Sequence, residues 1–337
     1  MKWLKRIALL LLLSIALVVG VTIFTAVGSE KPVGFQLTQA AGKDGVPFAV
    51  GVWYPTNARA WPTTFIGAGL MKVAKNGSIL GNDLPLVVIS HGNGGGMMSH
   101  VDLALALASA GYVVAAPMHA GDNFLDQSGV GGAQFFNARS QQYLATIEHV
   151  LSAWPGSAHL DRDRVGAYGM SMGGFSVLTA VGAQPDLRTI TSHCTLAMDF
   201  VCDVLRHFQS PYVAAQPQPG QPFVTDPRIK AAVLAAPGLG YTMVGAGLAN
   251  VQVPIQLWAG DKDDKVRDPG PVRQLGNGQL EYHLVAGAGH LSFLAPCRGV
   301  LRPPAICSDT GDFDRSAFHA SMNASVIAFF GKHLKKQ

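Results

Sequence analysis

Arg164-Val165-Gly166-Ala167-Tyr168-Gly169-Met170-Ser171-Met172-Gly173-Gly174-Phe175 decides the fold. The run from Arg164 to Tyr168 reads as a strand, and Phe175 to Val181 as the body of a helix. Between them lies a sharp turn with a serine at its tip. The glycines on either side of Ser171 allow a tight, strained turn and let helix and strand approach closely. A serine held this way projects its hydroxyl from a sheet edge at a helix N-terminus, where it can attack a carbonyl. The pattern is weak by itself in a chain with 39 glycines among 337 residues. Its meaning depends on what stands upstream and downstream.

Upstream, Leu84-Pro85-Leu86-Val87-Val88-Ile89-Ser90 is a buried-strand run that ends in His91-Gly92-Asn93-Gly94-Gly95-Gly96. A glycine-rich loop can turn backbone N–H groups inward. The N–H of Asn93, and that of Met172 just after the serine, are the candidate oxyanion donors. Downstream, Pro254 to Gly260 reads as a strand followed by Asp261-Lys262-Asp263-Asp264, and Leu280 to Val285 as a strand leading to Gly287-Ala288-Gly289-His290. Serine, aspartate and histidine thus follow one another in chain order, each just past the carboxyl end of a strand. Open α/β sheets place their sites at that edge.

Composition agrees with one large α/β domain. The chain is 48% hydrophobic and 14% charged, with a net charge of +4. It carries no basic block or aromatic-basic cluster, so nucleic-acid binding is not indicated. No internal repeat is visible. Val46 to Tyr54, Val113 to Ala116 and Ile229 to Ala236 read as further strands. His100 to Ala110 and Gln134 to Trp154 read as helices. Strands alternating with helices at this spacing predict a mostly parallel central sheet with helices on both faces. Residues 184–228 show no clear strand, but hold cysteines, prolines and the aromatics Phe200, Phe208, Tyr212 and Phe223. This insertion reads either as a lid or substrate wall or as an ordinary surface excursion. Within it, Gln216 to Pro222 reads as a loop.

Residues 1–28 read as a targeting element, and 29–337 as the folded domain. Lys2, Lys5 and Arg6 precede an uncharged apolar run from Ile7 to Val27, and Ala26-Val27-Gly28 resembles a small-residue cleavage site. Signal cores are usually about 7–15 residues, whereas a bilayer span takes about 20. Both a cleaved signal and a retained anchor over residues 7–27 stay open. Either places the domain outside the cytoplasmic membrane, in the periplasm or the extracellular space. The four cysteines fit export. Cys194 and Cys202 lie eight positions apart, Cys297 and Cys307 ten apart. Two local disulfides, Cys194–Cys202 and Cys297–Cys307, are the simplest of three connectivities. No C-x-x-C or H-x-x-x-H spacing suggests a metal.

Together, His91-Gly92-Asn93-Gly94-Gly95, Gly169 to Phe175, Leu257-Trp258-Ala259-Gly260-Asp261-Lys262-Asp263 and Gly287 to Cys297 resemble the exported bacterial α/β-hydrolases usually labelled "predicted dienelactone hydrolase". Those are similar in turn to platelet-activating-factor acetylhydrolases and polyester hydrolases. The resemblance runs from about Gly34 to Phe330. It implies an α/β-hydrolase fold, a serine nucleophile, and hydrolysis of a small-molecule or lipid-like ester with no cofactor. One departure matters. Dienelactone hydrolases use a cysteine nucleophile where this chain has Ser171, so carboxylic esters, rather than that lactone, are the implied substrates.

Residue chemistry supplies the mechanism. Ser171 needs a base, His290 can serve near neutral pH, and a carboxylate fixes the imidazole tautomer. Asp261, Asp263 and Asp264 compete for that place. Asp263 is favoured because its position, three past Gly260 and three before Val266, resembles the family's acid loop. His91 reads as a structural histidine. His119 reads as pocket or loop pin, and Arg139 as a solvated helix position. Gly92 to Gly96 lacks the lysine of a phosphate-binding loop. Amidase, peptidase, thioesterase or lactonase activity on the same fold, and an inactive binding module, are the alternatives. The cysteine reading predicts no free thiol when the protein is denatured without reductant and four after reduction; four without reductant would contradict it.

Overall fold

The computed structural model describes residues 2–43, 45–64, 70–196, 199–214, 222–275, 280–298 and 303–335. Its strands are β1 (Val33–Ala41), β2 (Pro47–Pro55), β3 (Trp61–Thr64), β4 (Leu70–Lys75), β5 (Leu84–Ser90), β6 (Val113–Pro117), β7 (Leu160–Met170), β8 (Ile229–Ala235), β9 (Ile255–Gly260) and β10 (Leu280–Val285). Its helices are α1 (Lys2–Phe24), α2 (Val101–Ser109), α3 (Phe135–Ser152), α4 (Met172–Ala180), α5 (Thr189–Leu196), α6 (Phe200–His207), α7 (Pro211–Ala214), α8 (Pro304–Cys307) and α9 (Arg315–Leu334).

The strands form one sheet in the order β10-β9-β8-β7-β5-β6-β2-β1-β4-β3. From β10 to β6 every neighbouring pair is parallel. β2 then joins β6, and β1 joins β2, in antiparallel pairing. Strands covered on both faces must be apolar on both faces, which is why β5, β8 and β9 read as nearly unbroken hydrophobic runs. One face packs on α3 and α4 through Phe136, Tyr143, Ile147, Phe175 and Leu178. The other packs on α2 and α9 through Leu103, Leu107, Met322, Val326 and Phe330. The mostly parallel sheet with helices on both faces is therefore as the sequence predicts.

Connectivity places the site. β5 leads through α2 to β6 on one side, while β7, on the other side of β5, leads away through α4 towards β8. The loops after β5 and β7 thus diverge, opening a crevice at the carboxyl edge between them, where such sheets bind ligands. The Asn93 loop and Ser171 stand at that crevice.

Three strands, β1, β3 and β4, have no counterpart in the sequence reading. β4 alternates, with Met71 and Val73 buried and Lys72 and Lys75 exposed. β1 carries Gln36 and Thr38 on one face, bonded to Trp154 and His149, and Gln39 on the other, so its pattern is too polar to mark a strand by hydrophobicity. Within residues 184–228 lie α5, α6 and α7. Apart from Pro222, the expected Gln216 to Pro222 loop falls outside the described residues. Both expected disulfides, Cys194–Cys202 and Cys297–Cys307, are formed.

At the N-terminus, every described side chain of α1 is exposed, and Lys2–Val21 has a mean hydropathy of 2.3. By length and composition it could cross a membrane. It resembles a signal sequence or anchor, and with the disulfides it fits an exported protein. The chain after it docks on the domain: the Val27 N–H donates to Leu70 O at 2.9 Å, and Lys72 N–H to Val27 O at 2.7 Å.

Gly173 is where helix α4 crosses closest to β5. A Cβ there would lie 2.0 Å from the Ser90 carbonyl oxygen, a backbone atom that cannot step aside. Gly173→Ala is expected to destabilise the domain by about 3 kcal/mol or more in urea unfolding. A loss under about 1 kcal/mol would show that the crossing is not tight.

Candidate active site

Ser171 has φ 56° and ψ −119°, a backbone conformation that non-glycine residues rarely adopt. Three backbone hydrogen bonds hold it there. Its N–H donates to Ala235 O at 3.0 Å, and its carbonyl accepts from Gly238 N–H at 3.0 Å and Phe175 N–H at 3.2 Å. The turn is thereby pinned to β8 on one side and to α4 on the other. Met172 is the first residue of α4, so its N–H has no intrahelical acceptor. The Asn93 N–H likewise has no acceptor among the described residues. Ser171, Met172 and Asn93 all line one cavity. Two open N–H groups and the serine hydroxyl are thus gathered in one place.

A buried charged brace fixes the Asn93 loop. Asp122 Oδ1 accepts from Asn93 Nδ2 and from Gly94 N–H, each at 2.7 Å. Its Oδ2 pairs with Arg139, which also donates to His91 O, and both side chains of the ion pair are 1% exposed. Arg139 is therefore not the solvated helix position expected from the sequence. It lies on the α3 stripe shared with Phe136 and Tyr143, at spacings of three and four, so the helical period already pointed it inward.

His91 and His119 belong to the same brace. The His119 N–H donates to His91 Nε2 at 3.3 Å, so the His91 proton sits on Nδ1, which donates to Gly92 O at 2.7 Å. Burial, reinforced by the Arg139 charge, holds the His91 ring neutral far below the ordinary histidine range. His119 is held neutral for the same two reasons, with His91 adding to them. Its Nδ1 faces Gln142 Oε1 at 3.1 Å, and its Nε2 accepts from the Ser90 hydroxyl at 2.9 Å. Both rings are structural pins with no nitrogen left for catalysis.

In the acid loop after β9, one of the three aspartates meets the histidine. Asp263 Oδ2 meets His290 Nδ1 at 2.8 Å, with the side chains 1% and 4% exposed. Its Oδ1 accepts from Lys265 N–H at 2.9 Å and Val266 N–H at 2.7 Å. With every carboxylate oxygen accepting, the imidazole carries its proton on Nδ1, and Nε2 is the basic nitrogen. Asp261 instead accepts from Gly287 N–H at 2.6 Å, and Asp264 is exposed beside Lys265.

Behind His290, Ser292 Oγ donates to Asp309, which Arg315 clasps, and Ser292 O accepts from His319 Nε2 at 2.9 Å. His319 Nδ1 in turn meets Asp102 Oδ2 at 2.7 Å. His100 and His319 are both buried, and the His100 Nε2 has no partner among the described residues. The structure thus brings Ser171, Asn93 and Met172 together, and Asp263 to His290. Among the described residues, no hydrogen bond joins Ser171 Oγ to His290.

The cavity at Ser171 has a volume of about 710 Å³. Phe135, Phe136 and Leu239 come from the domain, Phe200, Val204 and Leu205 from α6 in the insertion, and Lys265 and Val266 from the acid loop. His193, Asp199 and Cys202 are close enough to suggest a metal cluster, but the Cys202 sulfur is committed to its disulfide, leaving only two ligands.

Comparison with known proteins agrees with this architecture. Residues 59–136, which contain β5 and the Asn93 loop, match the family model of platelet-activating factor acetylhydrolase, isoform II. No curated protein matches the chain. A ferulic acid esterase from Streptomyces cinnamoneus superposes with a TM-score of 0.61 at 18% identity, over 92% of each chain. A prolyl endopeptidase structure aligns at 15% identity with a TM-score of 0.49, over 90% of this chain and 39% of that one. This chain therefore spans less than half the length of that peptidase. The fold is that of the α/β-hydrolases.

The neutral buried histidines set a pH dependence. Burial, opposed in part by Asp102 and helped by His319, pushes His100 down to about 4. An unfolded histidine takes up a proton below about 6.5. Stability is therefore full above that pH and falls as pH drops towards the folded value, by up to about 1.4 kcal/mol per pH unit for each such ring. His100→Phe, which keeps an aromatic ring against Tyr168, is expected to make the loss between pH 6 and 4.5 shallower by about that amount in urea titrations. Identical slopes in the two proteins would contradict this.

Proposed function

We propose that this chain is an exported serine hydrolase that cleaves carboxylic esters through an acyl-enzyme. The reading is carried by the Asp263–His290 hydrogen bond, which leaves Nε2 basic at the carboxyl edge where Ser171 is turned outward. The family match over residues 59–136 and the fold shared with the ferulic acid esterase support an acyl hydrolase acting on esters.

In acylation, His290 Nε2 takes the Ser171 proton as Oγ bonds to the ester carbonyl carbon. The carbonyl oxygen becomes an oxyanion and accepts hydrogen bonds from the Asn93 and Met172 N–H groups, each worth roughly 3 kcal/mol to the transition state. Collapse breaks the bond to the alcohol, which leaves with the proton from His290. Water then enters, gives a proton to the same nitrogen, attacks the acyl carbon and releases the acid and free Ser171. Asp263 holds the imidazole tautomer and stabilises the imidazolium without itself being protonated. The apolar walls contributed by α6 give residues 184–228 the role of a substrate wall. Residues 7–27 hold the chain in the membrane or direct its export.

On a p-nitrophenyl ester, Ser171→Ala and His290→Ala are each expected to lower kcat by about 10⁴ or more, and Asp263→Ala by a comparable factor. Asp261→Ala should leave kcat unchanged. A fluorophosphonate should label the wild type and not Ser171→Ala. Unlabelled folded wild type would favour a binding module, and unaltered turnover in His290→Ala would remove the proposed base.

A further inference from the structure

The cavity that holds Ser171 contains a second histidine–aspartate pair, built the opposite way round from the first. His193, on α5, meets Asp199 Oδ2 through Nε2 at 2.6 Å. Asp199 Oδ1 accepts the Cys202 N–H at 3.1 Å as the cap of α6. The carboxylate is thereby fixed as an acceptor, so His193 carries its proton on Nε2 and keeps a lone pair on Nδ1. The His193 Nδ1 has no hydrogen-bond partner among the described residues. The ring is also stacked on Tyr241, with centroids 3.7 Å apart and an interplanar angle of 12°. Next to it the Cys194–Cys202 disulfide ties α5 to α6. Carboxylate, aromatic ring and cross-link together hold this imidazole in the wall, and its side chain is 28% exposed. His193, Asp199 and Tyr241 all line the cavity, among Phe136, Phe200 and Val204.

A hydrogen-bond acceptor held rigidly beside Phe136, Phe200 and Val204, in a cavity that Lys265, Arg267 and Asp268 also line, discriminates among ligands. A site that pairs with a substrate hydroxyl rejects the analogue lacking it, because the acceptor is then desolvated without a partner. We propose that His193 is a substrate-positioning residue whose Nδ1 accepts a hydrogen bond from a hydroxyl carried on the apolar or aromatic portion of the ester, away from the scissile carbonyl. The substrate class is then hydroxyl-bearing aryl or alkyl esters rather than plain acyl esters. This rests on the ester-hydrolase reading and narrows it.

The test compares paired esters that differ by one hydroxyl: methyl 4-hydroxycinnamate with methyl cinnamate for the acyl side, and 4-(hydroxymethyl)phenyl acetate with 4-methylphenyl acetate for the alcohol side. Dividing each wild-type ratio by the ratio in a variant removes intrinsic reactivity. The wild type is expected to favour the hydroxylated member of one pair by about tenfold or more in kcat/KM, mainly through KM. His193→Phe keeps the stack on Tyr241 without the acceptor. It should abolish the preference, lowering kcat/KM on the hydroxylated member far more than on the hydroxyl-free one. His193→Asn, which places an amide oxygen near the position of Nδ1, should restore part of it. Equal ratios in wild type and His193→Phe would overturn the proposal. So would a proportionate fall for both members of a pair in His193→Phe and His193→Asn, which would make His193 only part of the wall. Fluorophosphonate labelling of the same wild-type samples separates the two readings. Labelled, active protein with no hydroxyl preference overturns this inference alone, whereas unlabelled, inactive protein overturns it together with the hydrolase reading.

Discussion

The turn at Ser171 is the constraint on which the rest of the architecture depends. A non-glycine residue in this backbone region costs on the order of 1–3 kcal/mol, so it persists only where the surroundings over-determine it. Here they do. β8 takes its N–H, the loop after β8 and the first turn of α4 take its carbonyl, and α4 leaves at once beneath a close crossing with β5. The chain is thus forced to point a serine outward at the start of a helix whose first N–H groups have no acceptor of their own. Relaxing the turn would draw the hydroxyl and the Met172 N–H out of alignment together.

A second demand falls on the Asn93 loop, which must present a backbone N–H without closing on itself. Glycine supplies the freedom and the Asp122–Arg139 pair removes it again. A buried ion pair is a poor source of net stability, because desolvation offsets most of the attraction, but breaking one side of it is costly. Its effect here is positional. One carboxylate holds Asn93 Nδ2 and Gly94 N–H, and one guanidinium holds that carboxylate and the His91 carbonyl. The neutral rings of His91 and His119 complete the loop's hydrogen bonds from below. On the other flank, Asp309, Arg315, His319 and Asp102 hold the turn that carries His290.

What could be read from the chain follows from what the residues are asked to do. β5, β8 and β9 are covered on both faces and therefore announce themselves as apolar runs, and β10 was legible with its bounds. The Ser171 turn was legible because only small neighbours permit it. Chain order alone pointed to an aspartate and to His290 past successive strand ends, and Asp263 stood out from Asp261 and Asp264 only by resemblance to the family's acid loop; the hydrogen bond to His290 is a contact of Asp263. The supporting contacts were not. Arg139 pairs with Asp122 across 17 positions and His319 with Asp102 across 217, and nothing local marks either pairing. The buried stripe of α3 did carry the hint that Arg139 faces inward, and that hint was overridden by the usual expectation for a charged helix residue. β1 escaped because polar residues interrupt both its faces, and β4 because Lys72 and Lys75 break its apolar run. His193 escaped because its partner and its stacking ring come from other elements of the cavity wall.

The account reduces to whether the base and the nucleophile meet on a reacting carbonyl. The most direct measurement is a crystal structure of the protein phosphonylated at its serine. The account predicts phosphorus bonded to Ser171 Oγ, its oxygen accepting from the Asn93 and Met172 N–H groups, and His290 Nε2 within about 2.6–3.2 Å of an oxygen on the adduct. A phosphorus atom on another side chain, or an imidazole of His290 turned away from the adduct while still bound to Asp263, would contradict it.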